Sequence, residues 1–150
     1  MSKNSPYLQF EIAAIKTTLP IYSLAWQINQ SFKMDFHLSQ NWEKQSEQNK
    51  ISLHNHCYGY FEDVELHWHL LENKGSNAYF LQTKPLFDYF FICNGDDIFN
   101  YFSMAVSEIK KNNAIENTFL IDNKLIKNAD SILNNLINTK EFQNDINVQI

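Results

Sequence analysis

The stretch HNHCYGYFEDVELHWH, residues 54–69, decides how this chain folds. It holds four of the five histidines and one of the two cysteines. Side chains alternate sides along a strand. On a first arm, Ser52, His54, His56, Tyr58 and Tyr60 share one face, and Leu53, Asn55, Cys57, Gly59 and Phe61 share the other. On a second arm, Glu65, His67, His69 and Leu71 alternate with Val64, Leu66, Trp68 and Leu70. With Glu62-Asp63 as a two-residue turn, Phe61 opposes Val64, Cys57 opposes Trp68, Tyr58 opposes His67 and His56 opposes His69. All four histidines then lie on one side of a hairpin and the apolar residues on the other, a self-consistent register.

That histidine face has three readings. Opposed Cβ atoms sit about 4.5–5.5 Å apart. Two imidazoles at that separation can share Zn²⁺ or Cu²⁺, which makes His54, His56, His67 and His69 candidate metal ligands. Cys57 points to the other face and takes no part. The plainer reading is a solvated outer face built from polar, strand-compatible residues. The third is a face covered by a partner chain that packs on Tyr58, Tyr60 and the histidines.

Outward from the hairpin, hydrophobic periodicity places the remaining elements. Residues 7–15, YLQFEIAAI, alternate as a strand. A helix follows to about Phe32, with Ile21, Leu24, Ala25, Ile28 and Phe32 on its apolar stripe. Thr17 or Thr18 is its candidate cap, and Pro20 is tolerated in the first turn. Met34 to Leu38 is a short strand candidate. Residues 39–50 are polar and read as a loop, and Ala78 to Leu81 as another short strand. Leu86 to Cys93, LFDYFFIC, is the most hydrophobic stretch and reads as a central strand buried on both faces. Asp96 or Asp97 caps a second helix, residues 98–111. Ile115 to Ile121 is a last strand, and 124–138 has the spacing of a third helix before a polar tail from about residue 139. The expected fold is a single α+β domain: a largely antiparallel sheet with about three helices, mainly on one face.

Composition bounds the function. The 150 residues are 44% apolar and 15% aromatic, which is globular. All 12 basic residues are lysine, so the guanidinium fork that reads phosphate and guanine in two bonds is missing. The net charge of −5 has the wrong sign for a phosphate backbone, so nucleic acid is disfavoured as a partner. No apolar run approaches the ~20 residues that span a bilayer, and the first residues lack a leader pattern. A cytoplasmic protein with reduced Cys57 and Cys93 is expected.

No phosphate loop, GxSxG, HExxH or CxxC is present. Glu62-Asp63 and Asp96-Asp97 are paired carboxylates in sequence, and a turn and a helix cap account for them. Cys57 and Cys93 read as buried small hydrophobes.

Residues 81–89, LQTKPLFDY, resemble the signature of the bacterial IPExxxVDY family: Leu81 stands for the Ile, Phe87 for the Val, and Asp88-Tyr89 match outright. Gln82 and Thr83 depart from its Pro-Glu. Residues 22–29, YSLAWQIN, are similar to the family's YRLAW-type helix and following Asn, and the likeness extends over most of residues 8–122. The resemblance implies a small α+β domain without an assigned activity and without a histidine cluster. It singles out Asp88 and Tyr89, with Asp88 expected to accept backbone N–H bonds across the 82–86 loop and fix the strand entry.

Three functions are therefore expected in order: a non-enzymatic interaction module with a protein partner or a second copy, a Zn²⁺- or Cu²⁺-binding protein using the four histidines, and an enzyme with a pocket near Asp88.

Overall fold

The computed structural model describes residues 10–32, 34–39, 41–45, 49–61, 66–83, 85–94 and 98–121. Its elements run β1 (Phe10–Thr17), α1 (Ile21–Phe32), β2 (His37–Leu38), β3 (Trp42–Gln45), β4 (Ile51–His54), β5 (His56–Phe61), β6 (Leu66–Glu72), β7 (Tyr89–Asn94), α2 (Ile98–Lys110) and β8 (Ile115–Ile121). Six strands form an antiparallel sheet in the order β2-β5-β6-β7-β1-β8. Strands β3 and β4 make a separate two-stranded ribbon. The fold class is α+β with a mostly antiparallel sheet. Two helices occur among the described residues, not three. The helix expected over 124–138, the tail after it and the Asp96-Asp97 cap lie outside them.

The sheet has two dissimilar faces. On the first, Ala13, Ile15, Cys57, Trp68, Leu70, Phe91 and Cys93 meet the apolar stripes of α1 and α2 in the larger core. The rings of Trp68, Phe91 and Phe102 form a triangle, with centroids 5.3 Å (Trp68–Phe91), 5.8 Å (Phe91–Phe102) and 6.5 Å (Trp68–Phe102) apart. Cys57 and Cys93 both lie in this core, buried and free. They sit on strands separated by β6, so the sheet spacing of about 4.7–4.9 Å per strand holds them too far apart to bond. Burial raises the Cys93 thiol far above its usual range, with Glu11 adding to the effect.

The second face has no helix packed on it among the described residues. Its β1–β7 half is apolar: Ile12, Ala14, Leu71, Phe90 and Ile92 pack with Phe87, and Phe80, Leu81, Phe119 and Ile121 close the cluster. Phe87 meets both Phe90 and Phe119 edge-on. Phe80, Leu81 and Phe87 thus lie across the sheet as a cover. Its beginning is not the strand expected at Ala78 to Leu81; a single bridge joins Lys74 to Tyr79.

The cover is anchored by one residue, Asn73, which is completely buried. Its amide nitrogen donates to the carbonyls of Leu81 (2.8 Å) and Phe87 (3.0 Å), and its Oδ1 accepts from the Leu81 N–H (2.8 Å). Its own backbone donates to Asp88 and accepts from Phe80. The turn before the cover is docked in the same manner. Ser52 Oγ accepts from the N–H groups of Asn77 and Ala78, and Asn77 Nδ2 donates to the Ile51 carbonyl. At Gly75 a Cβ would collide with Ser52 Oγ and the His54 ring. Gly75→Ala is therefore expected to destabilise the fold by about 1–3 kcal/mol, the usual range for overpacking, measured as a lower urea midpoint at unchanged m-value. An unchanged midpoint would mean that the turn does not sit on Ser52.

No helix among the described residues is long and apolar enough to cross a membrane.

Candidate functional site

Two places gather chemistry-bearing groups: the histidine row on the second face of the sheet, and a cleft beside Asp88.

The hairpin forms, but in another register. Tyr58 opposes His69, Tyr60 opposes His67, and His56 opposes Leu71. Each pairing is displaced by two residues from the one expected for a two-residue turn, so residues 62–65 join the arms. The first arm is also broken at Asn55 into β4 and β5. A displacement of two keeps every side chain on its face. His56, His67 and His69 therefore do share a side, with Cys57 and Trp68 on the other, whereas His54 lies on β4 in the separate ribbon.

The expectation of a solvated face is corrected. His54, His56 and His69 are completely buried, His67 nearly so, and Tyr58 is 2% exposed. Tyr60 is half-buried. This part of the sheet is enclosed within the chain itself, which closes Tyr58 to an outside partner.

The rings are bonded in pairs. His56 Nε2 and His69 Nδ1 lie 2.9 Å apart with the rings nearly parallel. The Tyr58 hydroxyl and His67 Nδ1 lie 2.8 Å apart. Tyr60 stacks on His67 with centroids 4.6 Å apart. His54 stands away from this group, on β4. Its Nδ1–H donates to the Glu72 carbonyl (2.9 Å), and its ring lies 4.0 Å from that of Phe80.

Burial keeps the row neutral. It lowers His56 to about 3, with His37 adding a smaller repulsion. It lowers His67 to about 4. His69 is held well below the usual value by burial, then by His56 and His67. A neutral imidazole has one donor and one acceptor nitrogen, so in each pair one group donates and the other accepts. Bonded this way, the row is a polar layer inside the fold. A metal shared by His56 and His69 would sit about 2.0–2.1 Å from each nitrogen and would replace their mutual hydrogen bond. Among the described residues, no three His, Cys, Asp or Glu side chains are grouped to hold a metal ion.

The cleft lies where β1 turns into α1. It has a volume of about 530 Å³ and is lined by Lys16 to Pro20, Glu72, Lys74, Asp88, Tyr89 and Glu116. Asp88 Oδ2 accepts the Thr17 N–H at 3.0 Å. Its backbone N–H donates to Ile15, and its carbonyl accepts from Asn73. Asp88 thus does accept a backbone N–H, but from the end of β1 and not from the 82–86 loop. It ties β1 to the entry of β7. The Tyr89 hydroxyl donates to the Leu19 carbonyl (2.6 Å), which pins the β1–α1 connection. Burial, then the Glu72 and Asp88 carboxylates, keep that phenol protonated. Thr17 does not cap α1: its hydroxyl donates to the Ala114 carbonyl and accepts the Leu19 N–H.

Sequence reasoning missed Asn73. Its only signal was an Asn beside a Lys-Gly-Ser-Asn turn, which reads as loop chemistry. It also missed β3, because residues 42–45, WEKQ, carry a single Trp and no alternating apolar stripe.

Compared with protein-family models, curated proteins and solved structures, the chain gives no match to any of them.

Proposed function

We propose that this protein is a protein-interaction module that docks through helix α1, with a second copy of the chain as the occupant. The observation that carries this reading is the outer face of α1. Tyr22 is 65% exposed and Trp26 is 62% exposed, one helical turn apart. Tyr and Trp are the residue types over-represented among the side chains that dominate binding energy at protein interfaces. All 12 residues of α1, IYSLAWQINQSF, are uncharged. Depletion of charge is the compositional mark of an interface centre. It also bears on the occupant: two copies of a chain of net charge −5 repel, and an uncharged face lets them meet without opposed charges.

The helix is set rigidly for this role. Ile21, Leu24, Ala25 and Ile28 anchor its inner side in the core. Asn29 clamps its end, accepting the Phe36 N–H at 2.8 Å and donating to the Phe36 carbonyl at 3.1 Å. A partner would therefore meet a preformed surface. The interaction surface moves from Tyr58, which the fold encloses, and the half-buried Tyr60 to Tyr22 and Trp26. Those two residues fall within the stretch that resembles the IPExxxVDY family, and that membership forms part of the same proposal. A reducing, cytoplasmic setting suits the two separated thiols.

Light scattering on the purified chain across a concentration series tests the reading. The expected mass rises towards that of a dimer and returns to that of a monomer in Trp26→Asp. Loss of an interface anchor of this kind costs about 2 kcal/mol or more, about thirtyfold in affinity. Because Trp26 is exposed, unfolding in urea should be unchanged in the variant at a concentration low enough for the wild type to be monomeric. A strict monomer at every concentration would sink self-association through α1.

A further inference from the structure

We infer that the cleft at the β1–α1 junction binds a small zwitterion of the amino-acid class, its carboxylate drawn by Lys16 and Lys74 and its ammonium by Asp88, Glu72 and Glu116. The cleft's volume, about 530 Å³, lies within the range of small-molecule sites. Its floor is rigid, and the groups that form it are only partly used. Asp88 gives one oxygen, Oδ2, to Thr17 and keeps Oδ1. Glu72 gives Oε1 to the Asn55 N–H (2.7 Å) and keeps Oε2.

The rim is unlike the floor. Lys16, Lys74 and Glu116 make no ion pair and no side-chain hydrogen bond with another described residue. Both signs of charge thus line one concave surface without neutralising each other. Ordinary surface pairs of opposite sign meet directly, as Lys111 and Glu108 do at 2.9 Å on α2. Two ammoniums and three carboxylates around one cleft match a ligand carrying both charges. A simple anion would meet the three carboxylates, and a simple cation the two lysines. The Tyr89 phenol, held protonated at the wall, adds no charge. This site lies apart from the exposed side chains of α1, so it stands or falls separately from self-association.

The test adds each proteinogenic L-amino acid in turn, at about 1 mM, to the full chain and reads thermal unfolding and backbone amide shifts. The expected result is saturable stabilisation by one or a few of them, with shifts at Thr17, Thr18 and Leu19. The N-acetyl and the amide derivatives of the same amino acid, each lacking one charge, should bind about ten- to hundredfold more weakly, the value of a charge-assisted hydrogen bond. Lys74→Met and Glu116→Gln should weaken binding by a similar factor. Both side chains are exposed, so neither change threatens the fold. No response to any amino acid would overturn the inference. So would equal binding of the blocked derivatives, or unchanged affinity in both variants.

Discussion

Asn73→Ala is expected to destabilise the protein by about 3–5 kcal/mol. The substitution removes three hydrogen bonds at a position with no access to water. It leaves the Leu81 N–H and the carbonyls of Leu81 and Phe87 without their partner. Each such orphaned buried group costs about 1–3 kcal/mol, and part of that is recovered if the segment moves out to water. That movement would itself uncover Phe87 and Phe90, so the loss reappears as apolar exposure. Asn73→Asp should be no rescue. It keeps an acceptor for Leu81 N–H but turns a second oxygen towards two carbonyls. Urea unfolding gives the magnitude, and hydrogen exchange at the Leu81 amide gives the location. Unchanged protection at Leu81 in Asn73→Ala would show that the cover is not held by this side chain.

Acid is expected to weaken the fold steeply below pH 6.5. His56, His67 and His69 are neutral in the folded chain, with His56 lowered to about 3, His67 to about 4, and His69 well below the normal value. Their ordinary value, which the unfolded chain regains, is 6.5. Above pH 6.5 neither state binds these protons and the full stability is present. Between pH 6.5 and about 4 the unfolded chain takes up three protons that the native chain excludes. Stability then falls with decreasing pH, by up to about 4 kcal/mol per pH unit for three such groups. Over two units the loss reaches about 8 kcal/mol, comparable with the whole stability of a domain, about 5–15 kcal/mol. The urea midpoint should therefore be level from pH 8 to 7 and drop sharply by about pH 5.5. In a double variant, His56→Leu with His69→Leu, both members of one bonded pair are replaced by apolar groups, which can be close to neutral. Only His67 remains, and the acid slope should fall to about 1.4 kcal/mol per unit. A wild-type midpoint that does not move between pH 7 and 5 would mean that the row is open to solvent.

What the sequence alone determined about this protein follows from periods. Helices α1 and α2 were legible because each apolar stripe has helical spacing, and Ile115–Ile121 was legible as a strand although a register shift puts Ile115 on one sheet face and Phe119 and Ile121 on the other. The buried central strand was legible because YFFIC, Tyr89 to Cys93, is apolar without alternation, although the strand runs Tyr89–Asn94 and does not begin at Leu86 as expected. The sidedness of His56, His67 and His69 against Cys57 and Trp68 was legible too, while His54 falls on a separate ribbon. Sidedness depends only on parity, and parity survived a register that was wrong by two residues.

Register, burial and partnership were decided by the tertiary structure. The register depends on the connection over 62–65, whose Glu-Asp pair reads equally well as a shorter turn. The burial of the histidines depends on what lies over them, and a polar strand face looks the same in sequence whether water or protein covers it. Asp88 was recognisable as a structural carboxylate, but its partner, Thr17, is 71 residues away and meets it only because β7 pairs with β1. The pairings of β1 with β8 and of β6 with β7 bring Glu116 and Lys74 to the same cleft as Lys16, though no motif links them. A side chain's face is a local property of the backbone repeat. What that face meets is a property of chain segments that only the folded sheet brings together.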